Sequence, residues 1–367
     1  MKHPSLYLDW YIHVPTTKYD LRSSGIINCR HELNLGEIDL SINFASGNPE
    51  TVKQIADWYS MRAENVFVSS EGASGQNARI IRYLAERNPR KKEAIVEYPT
   101  YEPLLRATQE HFPRVKRLER QEKEAYVLDA DRLRRIVSEK TGLLVLTNPH
   151  APSGAISGLS ELREVMNVAQ EHGFYVLCDE IYAEFDRRVV PTLFSVDPVL
   201  GVVTTGFTKA YGLGGLKLGI ALAGKELVDE LYTDVLNTVG NSPNIVQLVV
   251  AELLARGKTN IRKHLQKWSR LKKEAEEWLS GKNLVYFPSK AGVTYWVRTP
   301  IKDTYRWMNE KTIPRFSLAA VPGTFFMFKN GYELERSNMV RLGLGAVNPD
   351  SSNLTEALAT LENALKG

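Results

Sequence analysis

Two charged side chains, Asp179 and Lys209, each stand at the end of a short apolar run. The runs FYVLCD, residues 174–179, and VVTTGF, residues 202–207, are rich in β-branched and aromatic residues, which predicts buried parallel strands. Both side chains would then lie at the carboxyl edge of a sheet, where open α/β sheets bind their ligands. A lysine amine can form a Schiff base with an aldehyde, and a carboxylate can keep a pyridine ring nitrogen protonated, which makes that ring an electron sink.

The elements that must hold these side chains follow a repeating order of helix and strand. From about Val52 to Gly224, helix-like and strand-like segments alternate, which predicts a mostly parallel sheet with helices on both faces. Two long helical patterns follow at residues 244–257 and 264–281, and the second carries charges through most of its turns, as on a solvated face. Beyond Lys282, strand-like and helix-like segments are mixed.

This organisation predicts an α/β fold with two domains. The large domain would have three layers, and its mostly parallel sheet would carry the site, while a smaller α+β domain would be formed by the two ends of the chain. Residues 1–43 show no clean hydrophobic period. The predicted boundaries are 1–43 for the N-terminal part of the small domain, 44–282 for the large domain with its linking helix, and 283–367 for the C-terminal part.

Composition is typical of a large globular protein and disfavours several classes of partner. The chain has 367 residues, of which 43% are hydrophobic, and its 47 basic and 43 acidic residues are dispersed, so the net charge of +4 does not indicate binding to nucleic acid or to a membrane surface. No apolar run is long enough to span a membrane. The opening MKHPSLYLDWY lacks the apolar core of a signal peptide, so we expect a cytoplasmic protein.

Neither a disulfide framework nor a metal site is indicated. The two cysteines, Cys29 and Cys178, are too few for a framework, and Cys178 belongs to an apolar strand. The seven histidines show no HExxH motif or paired-ligand spacing. The turn GLGGLKLG has Lys217 where a dinucleotide-binding turn needs its third glycine, which disfavours a nicotinamide dehydrogenase. A regulatory protein would need a DNA-binding module, and no segment supplies one.

Three sequence frames carry a family resemblance. They are FYVLCDEIY with Asp179, TTGFTKAYGLGGLKLG with Lys209, and NMVRLGLG with Arg341. In this combination and order the chain resembles the class I/II aminotransferases, which are pyridoxal phosphate enzymes of fold type I related to aspartate aminotransferase. The similarity extends from about Ser46 to Leu344.

The resemblance implies a role for each residue around the cofactor ring. Lys209 would form the Schiff base with pyridoxal phosphate, Asp179 would pair with the pyridine nitrogen, and Tyr182 would donate to the ring oxygen O3′. Lys217, eight positions after Lys209, stands where the family usually has an arginine that binds the cofactor phosphate. Thr208 would be a hydroxyl partner for the same phosphate.

Two further segments resemble the family's binding motifs. Residues 71–84, EGASGQNARIIRYL, form a small-residue turn that opens an apolar-periodic helix, so free backbone N–H groups and the helix dipole suit a phosphate there. In the YPTY segment, Tyr101 would stack on the pyridine face. The resemblance places the phosphate on three residues of the turn, Gly72, Ala73 and Ser74.

Substrate recognition and departures from the family pattern involve the remaining residues. Arg341 would hold the substrate α-carboxylate with two parallel hydrogen bonds, as its planar guanidinium allows. The segment TNPHAPSG has Ala151 where the family has an asparagine that contacts O3′, whereas Asn148 is kept as a cofactor-binding candidate. Gly206 replaces a serine that the family often has near the lysine.

The resulting interpretation is a homodimeric aminotransferase that moves the amino group of an α-amino acid to a 2-oxo acid by a ping-pong mechanism. An aspartate-type donor is a family-level hypothesis, because no arginine can be assigned to a distal carboxylate. A decarboxylase or a β-eliminating C–S lyase of the same fold remains the alternative. Both would use the same lysine, aspartate and arginine, since all these reactions begin by weakening a bond at the substrate Cα.

Overall fold

The computed structural model describes residues 4–27, 29–329 and 331–366. Its strands, in chain order, are β1 Tyr19–Leu21, β2 Val66–Ser69, β3 Glu93–Tyr98, β4 Arg114–Glu119, β5 Thr141–Thr147, β6 Tyr175–Asp179, β7 Gly201–Thr205, β8 Gly219–Leu222, β9 Tyr286–Pro288, β10 Thr294–Arg298, β11 Leu318–Pro322 and β12 Met339–Gly343. Its α-helices are α1 Leu6–His13, α2 Pro49–Tyr59, α3 Gly72–Arg87, α4 Glu102–His111, α5 Ala130–Ile136, α6 Leu159–His172, α7 Lys225–Thr238, α8 Asn244–Ala255, α9 Gly257–Gly281, α10 Thr304–Trp307, α11 Ile313–Phe316 and α12 Asn353–Lys366, with a π-helical turn at Met308–Thr312 between α10 and α11.

The larger of two sheets in the described residues has seven strands in the order β2-β8-β7-β6-β5-β3-β4. From β4 to β7 every neighbouring pair is parallel, whereas β8 is antiparallel to both of its neighbours. Because a parallel pair needs a crossover connection, helices separate most of these strands in the sequence. The register places Thr147 opposite Asp179 and Asp179 opposite Thr204, so the carboxyl ends of β5, β6 and β7 meet at one edge.

Helices cover both faces of this sheet. Successive residues of a strand point to opposite faces, and in β5 the side chains of Leu143 and Val145 pack with α3, α4 and α7, while Leu144 and Leu146 pack with α5 and α6. Strands buried on both faces read as continuous apolar runs, which is why the sequence pattern was informative here. The predicted three-layer α/β fold with a mostly parallel sheet is confirmed.

The smaller sheet has five strands among the described residues, in the order β1-β11-β12-β10-β9. Its first strand pairs in parallel with β11, so Tyr19 lies opposite Leu318, and the other pairings are antiparallel. Helices α1, α9 and α12 contribute to one core with this sheet. Both ends of the chain thus build the small sheet, as expected, whereas the boundaries 1–43, 44–282 and 283–367 stay a prediction.

The N-terminal segment is more ordered than its sequence indicated. Its first helix, LYLDWYIH, is apolar at most positions, so it shows no helical period, yet it forms α1 with Tyr7 and Trp10 buried. The Ser5 side chain caps this helix by accepting from the Leu8 N–H. Across the part of the chain that the structure covers, no helix combines the length and the apolar character needed to cross a membrane.

Candidate active site

A cavity of about 310 Å³ lies at the carboxyl ends of β5, β6 and β7, beside the N-terminus of α3 and beneath α1. This is the edge at which open α/β sheets bind ligands. Most of the candidate residues predicted from the sequence line this cavity. The lining comprises Tyr7, Leu8, Tyr11, Ser23, Ser24, Glu71, Gly72, Ala73, Ser74, Tyr101, Thr147, Ala151, Asp179, Ile181, Tyr182, Thr208, Lys209 and Lys217.

The last residue of β6, Asp179, presents a buried carboxylate to this cavity. Its Oδ2 accepts a hydrogen bond from Asn77 Nδ2 at 2.7 Å, and its Oδ1 accepts from the Ile181 N–H at 2.9 Å. Burial raises the pKa of Asp179, while these hydrogen bonds and the charge of Lys209 act to lower it. The carboxylate is therefore held in place by neutral donors.

Asn77 is a residue that the sequence analysis missed. Its own Oδ1 accepts from the Thr204 hydroxyl at 2.5 Å, and this bond fixes the side-chain amide so that its N–H group points to Asp179. The candidate could have been found from helical spacing, because Asn77 lies on α3 three positions after Ser74 and so is on the same side of the helix.

Lys209 follows β7 and reaches the same cavity, where its Nζ lies 3.4 Å from the Ser24 hydroxyl. Burial lowers the pKa of Lys209, the positive charges of Arg341 and Lys217 lower it further, and Tyr7 and Asp179 oppose this change. The backbone carbonyl of Lys209 accepts from the Ile26 N–H at 2.8 Å. The chain passes close here, because a Cβ on Gly25 would lie 2.7 Å from Lys209 Cδ.

The first turn of α3 forms the wall opposite the small sheet. Gly72, Ala73 and Ser74 line the cavity together with Thr208 and Lys217, as the sequence analysis predicted for a phosphate site. The first N–H groups of a helix lack intrahelical partners, and the positive end of its dipole favours an anion. This wall therefore combines backbone donors, hydroxyl groups and one ammonium group.

An acidic residue, Glu71, stands unexpectedly in the same wall. Its carboxylate is paired with Arg79, at 2.5 Å from Nη2 and 3.1 Å from Nε. Arg79 is itself buried and also pairs with Asp234 on α7. The charge of Glu71 is thus directed toward Arg79 along the side of α3.

Two aromatic residues and one small residue complete the middle of the cavity. Tyr101 and Tyr182 both line it, and burial raises the pKa of Tyr101. The Tyr101 ring meets the Tyr7 ring edge to face, with centroids 5.9 Å apart. Ala151 also lines the cavity, and its N–H donates to the Thr147 hydroxyl at 2.8 Å.

The structure does not bring Asn148 into the cavity. Its amide is directed to the loop that follows: Nδ2 donates to the Ser157 carbonyl at 3.1 Å, and Oδ1 accepts from the Ser157 N–H at 3.0 Å. The neighbouring His150 is also directed elsewhere, with Nδ1 at 2.7 Å from the Ser153 hydroxyl and Nε2 at 2.9 Å from the Pro99 carbonyl. Asn148 therefore orders the loop, and this prediction of cofactor contact has no support in the geometry.

Arg341, on β12, is buried directly behind Tyr7. Its Nη2 donates to the Tyr7 hydroxyl at 3.0 Å and to the Arg22 carbonyl at 3.1 Å, and its Nε has no hydrogen-bond partner among the described residues. Its guanidinium also lies over the rings of Tyr7 and Phe326, at 5.7 and 5.1 Å from their centroids. A buried guanidinium with an unpaired donor is suited to an anion that enters beside Tyr7.

The side chains from α1 are the other group that the sequence analysis missed. Tyr7, Leu8 and Tyr11 line the cavity on the side of the small sheet. No motif marks them, because their place depends on the packing of the first helix against strands from the far end of the chain. By contrast, Thr147 could have been found as the last residue of an apolar strand, next to Asp179 in the sheet.

The donors around this cavity fit pyridoxal phosphate. Asp179 offers a buried carboxylate that forms no ion pair within the described part of the chain, and a protonated ring nitrogen would complete it. An amine with a lowered pKa, Lys209, lines the same space. The first turn of α3, Thr208 and Lys217 offer phosphate donors at one end. At the other end the cavity is bounded by Tyr7, whose hydroxyl is bonded to Arg341.

A comparison with known protein families gives the same answer. The family model described as aminotransferase class I and II matches residues 41–361. The chain belongs to this family.

Individual members of the class I and II aminotransferases are only distantly similar to this chain. A histidinol-phosphate aminotransferase of Methanococcus maripaludis is 26% identical over 185 residues, which are 50% of this chain and 48% of that protein. The chain thus spans about half the length of the first relatives that it matches. An aspartate aminotransferase of Pyrococcus horikoshii is 21% identical over 88% of this chain and 82% of its own length.

Solved structures of class I and II aminotransferases share the whole fold. A pyridoxal-phosphate-dependent aminotransferase from Streptococcus suis superposes with a TM-score of 0.83 at 20% identity, covering 100% of this chain and 98% of that one. A mutant of the Thermus thermophilus aspartate aminotransferase covers 100% of both chains with a TM-score of 0.78 and 20% identity. At this level of identity the likeness establishes the fold.

Proposed function

We propose that this protein is a pyridoxal-phosphate-dependent aminotransferase that moves the amino group of an α-amino acid to a 2-oxo acid. The observation that carries the proposal is the convergence of Lys209, Asp179 and the first turn of α3 on one cavity, with Arg341 behind Tyr7 at its other end. When bound, the cofactor supplies an aldehyde that condenses with amines and a ring that accepts electrons from the substrate Cα.

Lys209 is the residue proposed to move the proton. An amine can accept a proton only in its neutral form, and burial together with the neighbouring cations lowers the pKa of Lys209 in the direction that favours this form. Its Nζ would take the proton from the substrate Cα and would deliver it to the aldehyde carbon of the cofactor, C4′. The 3.4 Å contact with the Ser24 hydroxyl is long for a hydrogen bond, so the amine is weakly restrained.

Asp179 is proposed to hold a proton in place on the ring nitrogen. The two neutral donors from Asn77 and Ile181 fix both carboxylate oxygens, so the negative charge stays directed into the cavity. Tyr182 is proposed to donate to the ring oxygen and Tyr101 to cover the ring face. The cofactor phosphate would be held by Gly72, Ala73, Ser74, Thr208 and Lys217.

Arg341 is proposed to hold the substrate carboxylate. Its guanidinium is already desolvated and stacked on two aromatic rings, so little order has to be gained when an anion binds. Helix α1 lines the cavity on this side with Tyr7, Leu8 and Tyr11, which would shield a bound substrate from water. Exclusion of water strengthens each electrostatic contact inside the site.

The side of the cavity that is lined by α1 bears on the identity of the amino donor. An aspartate-type donor needs a cation for its second carboxylate. The nearby Arg22 is paired with Asp20 through Nε at 3.0 Å and Nη2 at 2.8 Å, and it covers the Tyr11 ring at 5.0 Å. The side chains of Tyr7, Leu8 and Tyr11 line the cavity here, and they favour a donor with an apolar or aromatic side chain over aspartate.

A homodimer is proposed from the family resemblance. Several apolar side chains of the N-terminal segment are on the surface of the single chain, including Leu33, Leu40 and Ile42, which are 43%, 73% and 45% exposed. Contact with a second subunit would remove these apolar side chains from water. Light scattering after size-exclusion chromatography measures the mass directly, and a monomer would contradict this part of the proposal.

A screen of amino acids with the cofactor-loaded protein tests the reaction. Each amino acid is supplied with 2-oxoglutarate, and the new 2-oxo acid and glutamate are measured together with the absorbance of the bound cofactor. We expect equal amounts of the two products, with phenylalanine or leucine a better donor than aspartate. Release of carbon dioxide, sulfide or ammonia without glutamate would instead support the decarboxylase or lyase alternative.

A further inference from the structure

The carboxylate of Glu102 lies at the N-terminus of α1, although Glu102 itself belongs to α4. Its Oε2 accepts from the Ser5 hydroxyl at 2.8 Å and from the Tyr7 N–H at 2.6 Å, and its Oε1 accepts from the Leu6 N–H at 3.1 Å. The first N–H groups of a helix have no partner inside it, and a negative charge near them is favourable. One side chain therefore satisfies several donors at the start of α1.

A second set of contacts holds this carboxylate in place. Arg106, one turn later on α4, pairs with Glu102 Oε1 through Nε at 2.8 Å and Nη2 at 2.7 Å. Both side chains are buried, and the Arg106 guanidinium lies over the rings of Phe328 and Tyr332, at 4.6 and 4.4 Å from their centroids. A buried carboxylate with a buried cation and several N–H or O–H donors has a single favourable orientation.

The helix that Glu102 holds carries Tyr7 into the candidate active site. The Tyr7 ring lines the cavity, and its hydroxyl accepts from Arg341 Nη2 at 3.0 Å. The Tyr7 N–H that donates to Glu102 belongs to the same residue, so only the length of one side chain separates the anchor from the guanidinium. A shift of the start of α1 would move the Tyr7 hydroxyl away from Arg341.

We propose that Glu102 is a positioning residue for recognition of the substrate carboxylate: it fixes the start of α1 and thereby holds the Tyr7 hydroxyl against Arg341. Tyr7 is the residue through which it acts, and the Tyr7 hydroxyl shares the carboxylate of the substrate with the guanidinium. This inference rests on the proposed function, because it assigns the substrate end of the same site. Ser5, which donates to Glu102 and caps α1, belongs to the same anchor.

The main test uses Glu102→Gln, which keeps the size of the side chain but removes its charge. We expect the KM for the amino donor to rise about tenfold, because the bonds of a charged acceptor to the start of α1 are weakened. The kcat and the affinity for pyridoxal phosphate should stay within about twofold of the unaltered protein, since no cofactor contact is touched. Glu310→Gln is the matched control, because Glu310 forms an ion pair with Arg306, which is also four residues away, but on the surface of the protein.

Combination with Tyr7→Phe tests whether Glu102 acts through Tyr7. Tyr7→Phe removes the hydroxyl that meets Arg341, and Glu102→Gln added to it should raise the KM little further, because the two changes disable one contact. Multiplication of the two effects would overturn the proposal. An unchanged KM in Glu102→Gln would overturn it as well.

Binding of an unreactive carboxylate gives a measurement that does not depend on turnover. Isothermal titration calorimetry of the cofactor-loaded protein with 3-phenylpropanoate should show a loss of affinity in Glu102→Gln of about tenfold. Ser5→Ala leaves the buried Glu102–Arg106 ion pair intact and should give a smaller loss of affinity for 3-phenylpropanoate. It therefore replaces Glu102→Gln in this test if that variant folds poorly. If the unaltered protein transfers no amino group, the proposed function fails. The calorimetric comparison then still decides the role of Glu102: equal affinities contradict it.

Discussion

The two halves of the candidate site are built in different ways. The cofactor half comprises Asp179 at the end of β6, the first turn of α3, and Thr208, Lys209 and Lys217 in the loop between β7 and β8. The substrate half, comprising Tyr7, Leu8, Tyr11 and Arg341, joins the first helix of the chain to β12. Each residue of the first half is marked by its own local sequence pattern, whereas the second half depends on the packing of the two ends of the chain.

The halves also differ in the groups that surround their charged side chains. In the cofactor half, the carboxylate of Asp179 is held by neutral donors, and Lys209 has a long contact to one hydroxyl. In the substrate half, the Arg341 guanidinium is stacked on two rings and bonded to Tyr7. The role proposed for Lys209 requires a change of protonation, whereas the role proposed for Arg341 requires a constant positive charge.

The largest effect is expected from removing the amine of the cofactor half. Lys209→Ala should lower turnover by ~10³-fold or more, because both the attachment point and the proton carrier are lost. Borohydride reduction of the unaltered, loaded protein should leave a pyridoxyl group on the peptide that contains Lys209, as mass spectrometry can show. Lys225→Ala, which changes an exposed lysine, is the control. A label on Lys217 would contradict the assignment.

A smaller but still large effect is expected in the substrate half. Arg341→Lys keeps the charge but loses the planar pair of donors, so the KM for the amino donor should rise by about 10- to 100-fold. The absorbance of the bound cofactor should remain unchanged, because Tyr7 lines the cavity and Arg341 lies behind it. Arg315→Lys, at an exposed position, provides the comparison. Amines without a carboxylate that react as well as amino acids would show that this role is wrong.

Electrostatic coupling between the halves is a finer test. Burial lowers the pKa of Lys209, and Arg341 lowers it further. Arg341→Gln should therefore raise the pKa of Lys209, so that in the cofactor-free protein its amine becomes reactive only at higher pH. Competitive acetylation with mass spectrometry measures this pKa, with Lys225 as the internal reference. An identical titration of Lys209 in both proteins would mean that the halves are electrostatically independent.

The smallest effect is expected at Ala151, where the family's asparagine is missing. An asparagine there could donate to the cofactor ring oxygen, withdrawing negative charge that stabilises the protonated lysine nitrogen bonded to the cofactor. Ala151→Asn should therefore lower the pH midpoint of the cofactor absorbance change, by about 0.7 of a pH unit for one hydrogen bond of about 1 kcal/mol. A spectrophotometric titration of both proteins measures it. A midpoint that rises would contradict the proposed alignment of this segment.

Sequence reasoning worked in the cofactor half for a physical reason. Strands buried on both faces are continuous apolar runs, so the ends of β6 and β7, and with them Asp179 and Lys209, can be located without a structure. The turn that opens α3 is likewise marked by its small residues. Cofactor contact by Asn148 stays a prediction, because a motif match gives a residue type but not the direction of its side chain, which here is bonded to Ser157.

The substrate half could not be located in the same way. Arg341 was found from its frame, but its partner Tyr7 lies in a helix without amphipathic period, and the contact between them depends on how the two chain ends pack. Glu102 was equally hidden, because a glutamate at a helix start predicts only a favourable contact with its own helix dipole. Its bonds to α1 follow from tertiary packing, which no local pattern encodes.

The parallel pairing of β1 with β11 has a consequence for the order in which the chain can fold during its synthesis. Tyr19 leaves the ribosome about 300 residues before its partner Leu318, which at roughly 10 residues per second means a delay of about half a minute. Most of the seven-stranded sheet can assemble during that time, while the first segment waits without its partner strand. The part of the candidate site around Tyr7 and Arg341 is therefore completed last, after the strands that carry Asp179 and Lys209 have been synthesised.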